Sequence, residues 1–234
     1  MHHSCIENAI DQFDKPNLVS PISKEILTKY EKIMPPILLD MWQQEGFCQF
    51  QNGLYYIVNP DDWQDVVDVW IDNTPYQKLG QFYALARNAF GYLYVYNPDT
   101  GTKLTISTIL STISGSIRGY FTDKEKEISI EGFFGLTDWD KEDFTLLDNK
   151  PIFKKAVKKL GPLGWYEMYA FEPAFALIGD AALTMDNLVK VDARVHMLLL
   201  RDLIDQPKIW SFNIEEDLKR IGTSLAEIAE KHRP

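Results

Sequence analysis

Gly164-Trp-Tyr-Glu-Met-Tyr-Ala-Phe-Glu-Pro-Ala-Phe-Ala-Leu-Ile-Gly179, followed after a short connection by Asp186-Asn-Leu-Val-Lys-Val-Asp-Ala-Arg-Val-His-Met-Leu-Leu-Leu-Arg-Asp-Leu203, is the stretch that decides the fold. Its first half is dense in aromatic and aliphatic side chains and stops at a glycine. Its second half places Leu188, Val191, Val195, Leu198 and Leu199 at helical spacing, which predicts one long helix with these residues on its buried face. Thr184 or Asp186 can cap that helix, and Pro207 ends it near Asp205. A helix this apolar needs a partner, and the preceding aromatic run is the nearest candidate for the core of the C-terminal half.

The 234 residues suffice for one large or two small domains. No apolar run reaches the roughly 18–20 residues of a membrane span, and the N-terminus lacks a basic region followed by an apolar one, so no secretory signal is expected. Cys5 and Cys48 lie far apart and in no motif, which fits a reduced, cytoplasmic setting. There are 34 acids against 24 bases, a net charge of −10. Divided at Gly115, the first part holds 13 acids and 7 bases and the second 21 and 17, so both are acidic. Such a surface repels a phosphate backbone and argues against a nucleic-acid partner.

Read outward from the core stretch, the chain alternates helical and extended patterns. Helices are predicted over residues 6–14, from Ser23 to about Ile33, and from Ile37 to Glu45, with Pro36 suited to its first turn and Gly46 as the stop. Residues 47–50 and 54–58 read as strands around a Gln-Asn-Gly turn. Asn59-Pro60-Asp61-Asp62 opens another helix, with Trp63, Val66, Val67, Trp70 and Ile71 facing inward. Strands follow at 82–87, 92–96 and 103–107, an antiparallel meander. Residues 111–119, rich in serine and glycine, are the candidate boundary. Beyond it come a helix capped by Asp123, a helix over 152–160 and a last amphipathic helix over 213–230. The fold class is α+β. Helices pack on an antiparallel sheet in residues 1–114, a mostly helical part fills 115–234, and the two can pack as one unit.

Catalytic signatures are absent. His2, His3 and His232 sit near the termini, and His196 flanks an apolar face, where a hydrogen-bonded structural histidine is expected. No phosphate loop, dinucleotide fingerprint or nucleophile elbow occurs, so neither enzyme activity nor a metal or cofactor is expected. A pair of carboxylates working as acid and base would show only in three dimensions. Lys154, Lys155, Lys158 and Lys159 form one basic cluster, which suits the negative end of their helix. Sharper is the row Asp61, Asp65, Asp68 and Asp72, spaced so that all four share one helix face, with Asp62 beside it. Early acids suit the positive end of a helix, but Asp68 and Asp72 lie towards its negative end and repel each other. This face, with Asp138, Asp140 and Asp143 in a second acidic segment that runs to Asp148, is the candidate surface for a partner.

Tyr30, Pro35-Pro36, Leu38-Leu39, Trp42, Gly46, Phe50, Asn52-Gly53, Asn59-Pro60-Asp61-Asp62 and Trp70 resemble the GAD-like domain of bacterial proteins. Phe90-Gly91-Tyr92-Leu93-Tyr94, Pro173 to Gly179, Asn187 to Val191 and His196-Met197-Leu198-Leu199 resemble the domain that follows it in immunity proteins paired with type VI secretion DNase toxins. One departure is Ile178-Gly179-Asp180, where the family carries Gly-Gly. The resemblance implies a cytoplasmic antitoxin whose partner is a basic toxin protein, a nuclease, bound by an acidic face, with no catalytic residues. A GAD-like interaction module without a toxin partner is the alternative.

Overall fold

The computed structural model of the chain describes residues 2–117 and 122–211, together with Lys219 and Gly222. The helix expected over 213–230 lies outside the described residues except for Lys219 and Gly222, and so do Arg118 and Gly119 of the expected boundary.

In chain order the elements are α1 (Ser4–Phe13), β1 (Leu18–Ser20), α2 (Lys24–Tyr30), α3 (Pro36–Glu45), β2 (Phe47–Phe50) and β3 (Tyr55–Ile57). A 3₁₀ turn (Pro60–Trp63) leads into α4 (Gln64–Ile71), and a second (Pro75–Leu79) precedes β4 (Tyr83–Asn88), β5 (Tyr92–Tyr96), β6 (Lys103–Ser107) and β7 (Thr112–Ser114). Then come α5 (Asp123–Gly135), α6 (Trp139–Glu142), α7 (Phe153–Leu160), β8 (Glu167–Phe171), α8 (Phe175–Ile178), β9 (Leu188–Asp192), α9 (Ala193–Asp202) and β10 (Lys208–Trp210). No helix among the described residues is long and apolar enough to cross a membrane.

Local chemistry accounts for most boundaries. The Ser23 hydroxyl accepts from the Ile26 N–H and starts α2, Pro36 fits the first turn of α3, and Gly46, at φ +71°, stops it. The cap of α5 is Thr122 rather than Asp123. Its hydroxyl accepts from Glu125 N–H while the Glu125 carboxylate accepts from Thr122 N–H, a reciprocal pair that satisfies two otherwise open donors.

One sheet of order β1-β2-β3-β4-β5-β6-β7-β10 carries the fold. It is antiparallel except at its end, where β10 pairs parallel with β7, Ile209 facing Ile113. The serine-rich stretch expected to separate two halves therefore contains a strand. Through it the C-terminal part adds a strand to the N-terminal sheet, with Lys208 N–H donating to Ser111 O at 2.8 Å and Gly115 N–H to Trp210 O at 3.1 Å.

The stretch quoted at the outset splits differently from the single helix predicted. Leu188–Asp192 pairs with Glu167–Phe171 as a separate two-stranded sheet, and α9 begins only at Ala193, under the Asp192 carboxylate, which accepts from Val195 N–H at 2.9 Å. Leu188, Val189 and Val191 are aliphatic, mostly β-branched and close to Lys190, a composition that suits a half-buried strand as well as a helix face. The aromatic run is stitched to the first part of the chain. Tyr56 Oη donates to Gly164 O at 2.9 Å, Gln49 Nε2 to Leu163 O at 2.8 Å, and Tyr169 N–H to Ala89 O at 2.8 Å. The fully buried Arg87 donates to Trp165 O at 2.5 Å and Glu167 O at 3.2 Å, with its guanidinium 3.5 Å from the centre of the Tyr56 ring. Gly91, at φ +72°, admits Met168 so closely that a Cβ there would lie 2.6 Å from the Met168 methyl. One hydrophobic core thus runs from α1 to α9.

Candidate partner-binding surface

The row of aspartates forms as the helical spacing requires, on the outward side of the 3₁₀ turn and α4, while Trp63, Val66, Val67, Trp70 and Ile71 are buried on the other. The carboxylates differ in what they touch. Asp61 accepts from Lys29 Nζ and from Tyr30 Oη at 2.6 Å. Partial burial works to raise its pKa, but those two hydrogen bonds and the Lys29 charge outweigh it and hold the carboxyl below its ordinary value. The half-buried Asp62 is pushed up, mainly by burial, and accepts from Tyr166 Oη at 3.2 Å. Asp65 holds Arg194 of α9 in a two-point pair, Nη2–Oδ2 2.6 Å and Nε–Oδ1 3.0 Å.

Asp68 and Asp72 are different. Both are exposed, and their partners are neutral amides: Gln64 and Gln81 for Asp68, each at 2.8 Å, and Asn73 and Gln77 for Asp72, at 2.8 and 2.7 Å. Neither forms a salt bridge among the described residues. They flank a hollow of about 690 Å³ whose wall also holds Gln77, Gln81, Arg201 and Asp202. Amides orient these carboxylates without neutralising them, so the negative charge stays available to a cation from outside.

The second acidic segment is mostly structural. Asp138 caps α6, accepting from Asp140 N–H at 3.1 Å, and Asp140 is exposed. Asp143 is buried and accepts from the N–H groups of Ile152 (3.0 Å) and Phe153 (2.8 Å) at the start of α7. A carboxylate enclosed by two backbone donors is not presented to a partner, so Asp143 lies outside any exposed surface. Among the described residues no hydrogen bond or ion pair joins this segment to α4. It is tied instead to α1 and β5, through Asn8 Nδ2 to Thr137 O at 2.6 Å and Tyr94 Oη to Glu142 Oε2 at 2.6 Å.

Beside the aspartate row lies an apolar face that the sequence reading had placed inside. Because α9 starts at Ala193, its buried stripe is Ala193, His196, Met197 and Leu200, and Val195 and Leu199 are 65% and 53% exposed. Leu203 and, on α4, Val69 are exposed as well. The two helices are locked together by the Asp65–Arg194 pair, by Arg201 Nε donating to Val69 O at 3.0 Å and by Trp70 Nε1 donating to Met197 O at 3.1 Å. Exposed apolar side chains thus lie next to a polar, charged border on α4 and α9. His196 is buried, which lowers its pKa against the opposing pull of Glu172, and its Nε2 has no hydrogen-bond partner among the described residues. Cys5 and Cys48 are separate buried thiols.

Comparison with known proteins bears on both parts of the chain. Residues 4–110 match the GAD-like domain family, and residues 128–204 match the family described as T6SS immunity protein Tdi1, C-terminal. The first match takes in Phe90–Tyr94, which the sequence reading grouped with the second domain. No curated protein matches the chain. Among solved structures, the crystal structure of Atu4351 from Agrobacterium tumefaciens is similar over 90% of this chain and 94% of that one, with a TM-score of 0.75 and 21% sequence identity, a likeness of fold. The chain is thus similar over residues 4–110 to the GAD-like domain and over residues 128–204 to the C-terminal domain of the T6SS Tdi1 immunity proteins.

Proposed function

We propose that this protein is an immunity protein that neutralises a type VI secretion toxin by binding it in the cytoplasm of the cell that makes both. The observation that carries this reading is the match of residues 128–204 to an immunity-protein family. The surface in contact is the exposed part of α4 with the outer face of α9: Asp68 and Asp72 steer, with Asp62 and Asp140 adding to the negative field, Asp61 and Asp65 are held by Lys29 and Arg194, and Val195 and Leu199 anchor. A net charge of −10 suits a basic partner, and a nuclease, whose substrate cleft must be positive, is the class of toxin that fits. The protein acts as a non-catalytic inhibitor: charge speeds encounter, and the burial of a few apolar groups sets the lifetime of the complex. Co-expression with a candidate type VI secretion toxin from the same genome, scoring survival and co-purification, tests the reading.

A further inference from the structure

Four consecutive carbonyls at the entry to β8 each accept a hydrogen bond from a residue distant in sequence. Gly164 O accepts from Tyr56 Oη at 2.9 Å, and Tyr166 O from Ala193 N–H at 2.7 Å. Trp165 O and Glu167 O accept from Arg87 Nη2 and Nη1, at 2.5 and 3.2 Å. The Glu167 carboxylate closes the turn by accepting from Gly164 N–H at 2.7 Å, and the Trp165 ring meets Tyr56 edge to face at 6.0 Å. Arg87 is fully buried and forms no ion pair among the described residues; its guanidinium lies 3.5 and 5.0 Å from the ring centres of Tyr56 and Trp63. Burying a cation in this way is costly, and what it achieves here is a backbone over residues 165–167 held in one conformation.

From that backbone projects Tyr166, 48% exposed and the one exposed tyrosine among the described residues. Its hydroxyl donates to Asp62 Oδ2 at 3.2 Å, so the side chain is tied at its tip as well as at its base. A surface side chain loses conformational freedom when a partner covers it, and one already fixed loses little. Tyrosine adds a large, amphipathic contact area at low entropic cost.

Tyr166 stands at one end of the seam between α4 and α9. The ties across that seam follow in rising order along both: Asp62 with Tyr166, Asp65 with Arg194, and Val69 O with Arg201. Asp68 and Asp72 lie towards the other end, and from Asp62 to Asp72 the chain rises about 15 Å. The two ends differ in chemistry. Asp62 and Asp65 are engaged from across the seam, whereas Asp68 and Asp72 hold only neutral amides. Val195, on the first turn of α9, adds an exposed aliphatic side chain at the Tyr166 end. We propose, on the footing of the immunity reading above, that Tyr166 is the fixed aromatic anchor of the toxin interface, its ring entering an apolar pocket on the toxin beside Val195. Charge at Asp68 and Asp72 acts on approach, and the burial of Tyr166 acts on release.

Surface plasmon resonance of the full chain on an immobilised candidate type VI secretion toxin from the same genome tests this, at low and high salt. Tyr166→Ala should raise the dissociation rate roughly thirtyfold and leave the association rate and its salt dependence unchanged. Tyr166→Phe, which loses only the bond to Asp62, should stay within about threefold of wild type. Both variants should melt within a few degrees of wild type, because the ring is half exposed and the bonds that hold the backbone do not involve it. Saturating toxin should also protect Tyr166 from nitration by tetranitromethane, which a residue with a purely structural role would not show. A wild type that binds no such toxin would overturn the immunity reading and this anchor with it. Tight binding by the wild type with an unchanged dissociation rate for Tyr166→Ala, or with nitration undiminished in the complex, would overturn the anchor alone. An effect of Tyr166→Ala confined to a salt-dependent association rate would overturn it too, by assigning Tyr166 to charge steering.

Discussion

The indole Nε1 of Trp70 donates to the backbone oxygen of Met197 at 3.1 Å, inside the protein. Trp70 stands on α4, within the residues that match the GAD-like family, and Met197 on α9, within those that match the immunity family, so this bond joins the two helices that carry the candidate surface. Trp70→Phe keeps most of the apolar burial but leaves the Met197 oxygen without its donor. A loss of about 1–3 kcal/mol is expected, read as a lower denaturation midpoint in urea.

Asp143 gives a contrast with the exposed aspartates. Its carboxylate holds two N–H groups at the start of α7, and burial pushes its pKa up against those bonds. Asp143→Ala should cost about 1–2 kcal/mol of stability, as the loss of a helix cap does. Asp65→Ala, which breaks a half-exposed pair with Arg194, should cost less than about 1 kcal/mol. Thermal unfolding of the two variants side by side checks the order.

Glu142 makes stability depend on pH in a direction opposite to that of most acids. Its carboxyl rises from the ordinary 4.5 to about 7 in the folded protein, so the native state holds the proton more tightly than the unfolded chain. The stabilisation is fully present below about 4.5 and is lost as pH rises through about 7. Glu142→Gln stays uncharged throughout. It should gain on the wild type between pH 5 and pH 8, by on the order of 3 kcal/mol at most. Chemical denaturation at both pH values measures the difference.

Much of this architecture is legible in the residues. Proline at the start of α3 and glycine at its end, Asn59-Pro60 ahead of α4, and alternation in β4 to β6 have local causes, and the elements form where those causes put them. The outward row of aspartates follows from helical spacing alone. What local pattern could not reveal depends on partners distant in sequence. Leu188–Asp192 is a strand because Glu167–Phe171 lies beside it, and that displacement turns Val195 and Leu199 outward. Likewise β10 exists because β7 offers an open edge, and Glu142 is buried where Asn88 of β4 and Tyr94 of β5 hold it. The split between charge-paired Asp61 and Asp65 and amide-held Asp68 and Asp72 is also tertiary, since Lys29, Gln81 and Arg194 arrive from elsewhere in the chain.

The exposed apolar face of α9 is open to substitution without harm to the fold. Val195→Glu with Leu199→Glu should leave the melting temperature within a few degrees of wild type, because both side chains already stand in water. The same pair should shorten the lifetime of the complex with the toxin, read as a faster dissociation rate by surface plasmon resonance.

The account stands or falls on the association of this protein with a type VI secretion toxin made by the same cell. The direct measurement is the association rate at low and high salt, for the wild type and for Asp68→Lys with Asp72→Lys. The expected result is tight binding by the wild type, association slowed roughly tenfold by the charge reversal at low salt, and a smaller difference at high salt, where exposed charges are screened. Tight binding with rates untouched by the reversal would move the interface off α4. No binding at all, with cells poisoned despite the protein's presence, would contradict the immunity reading.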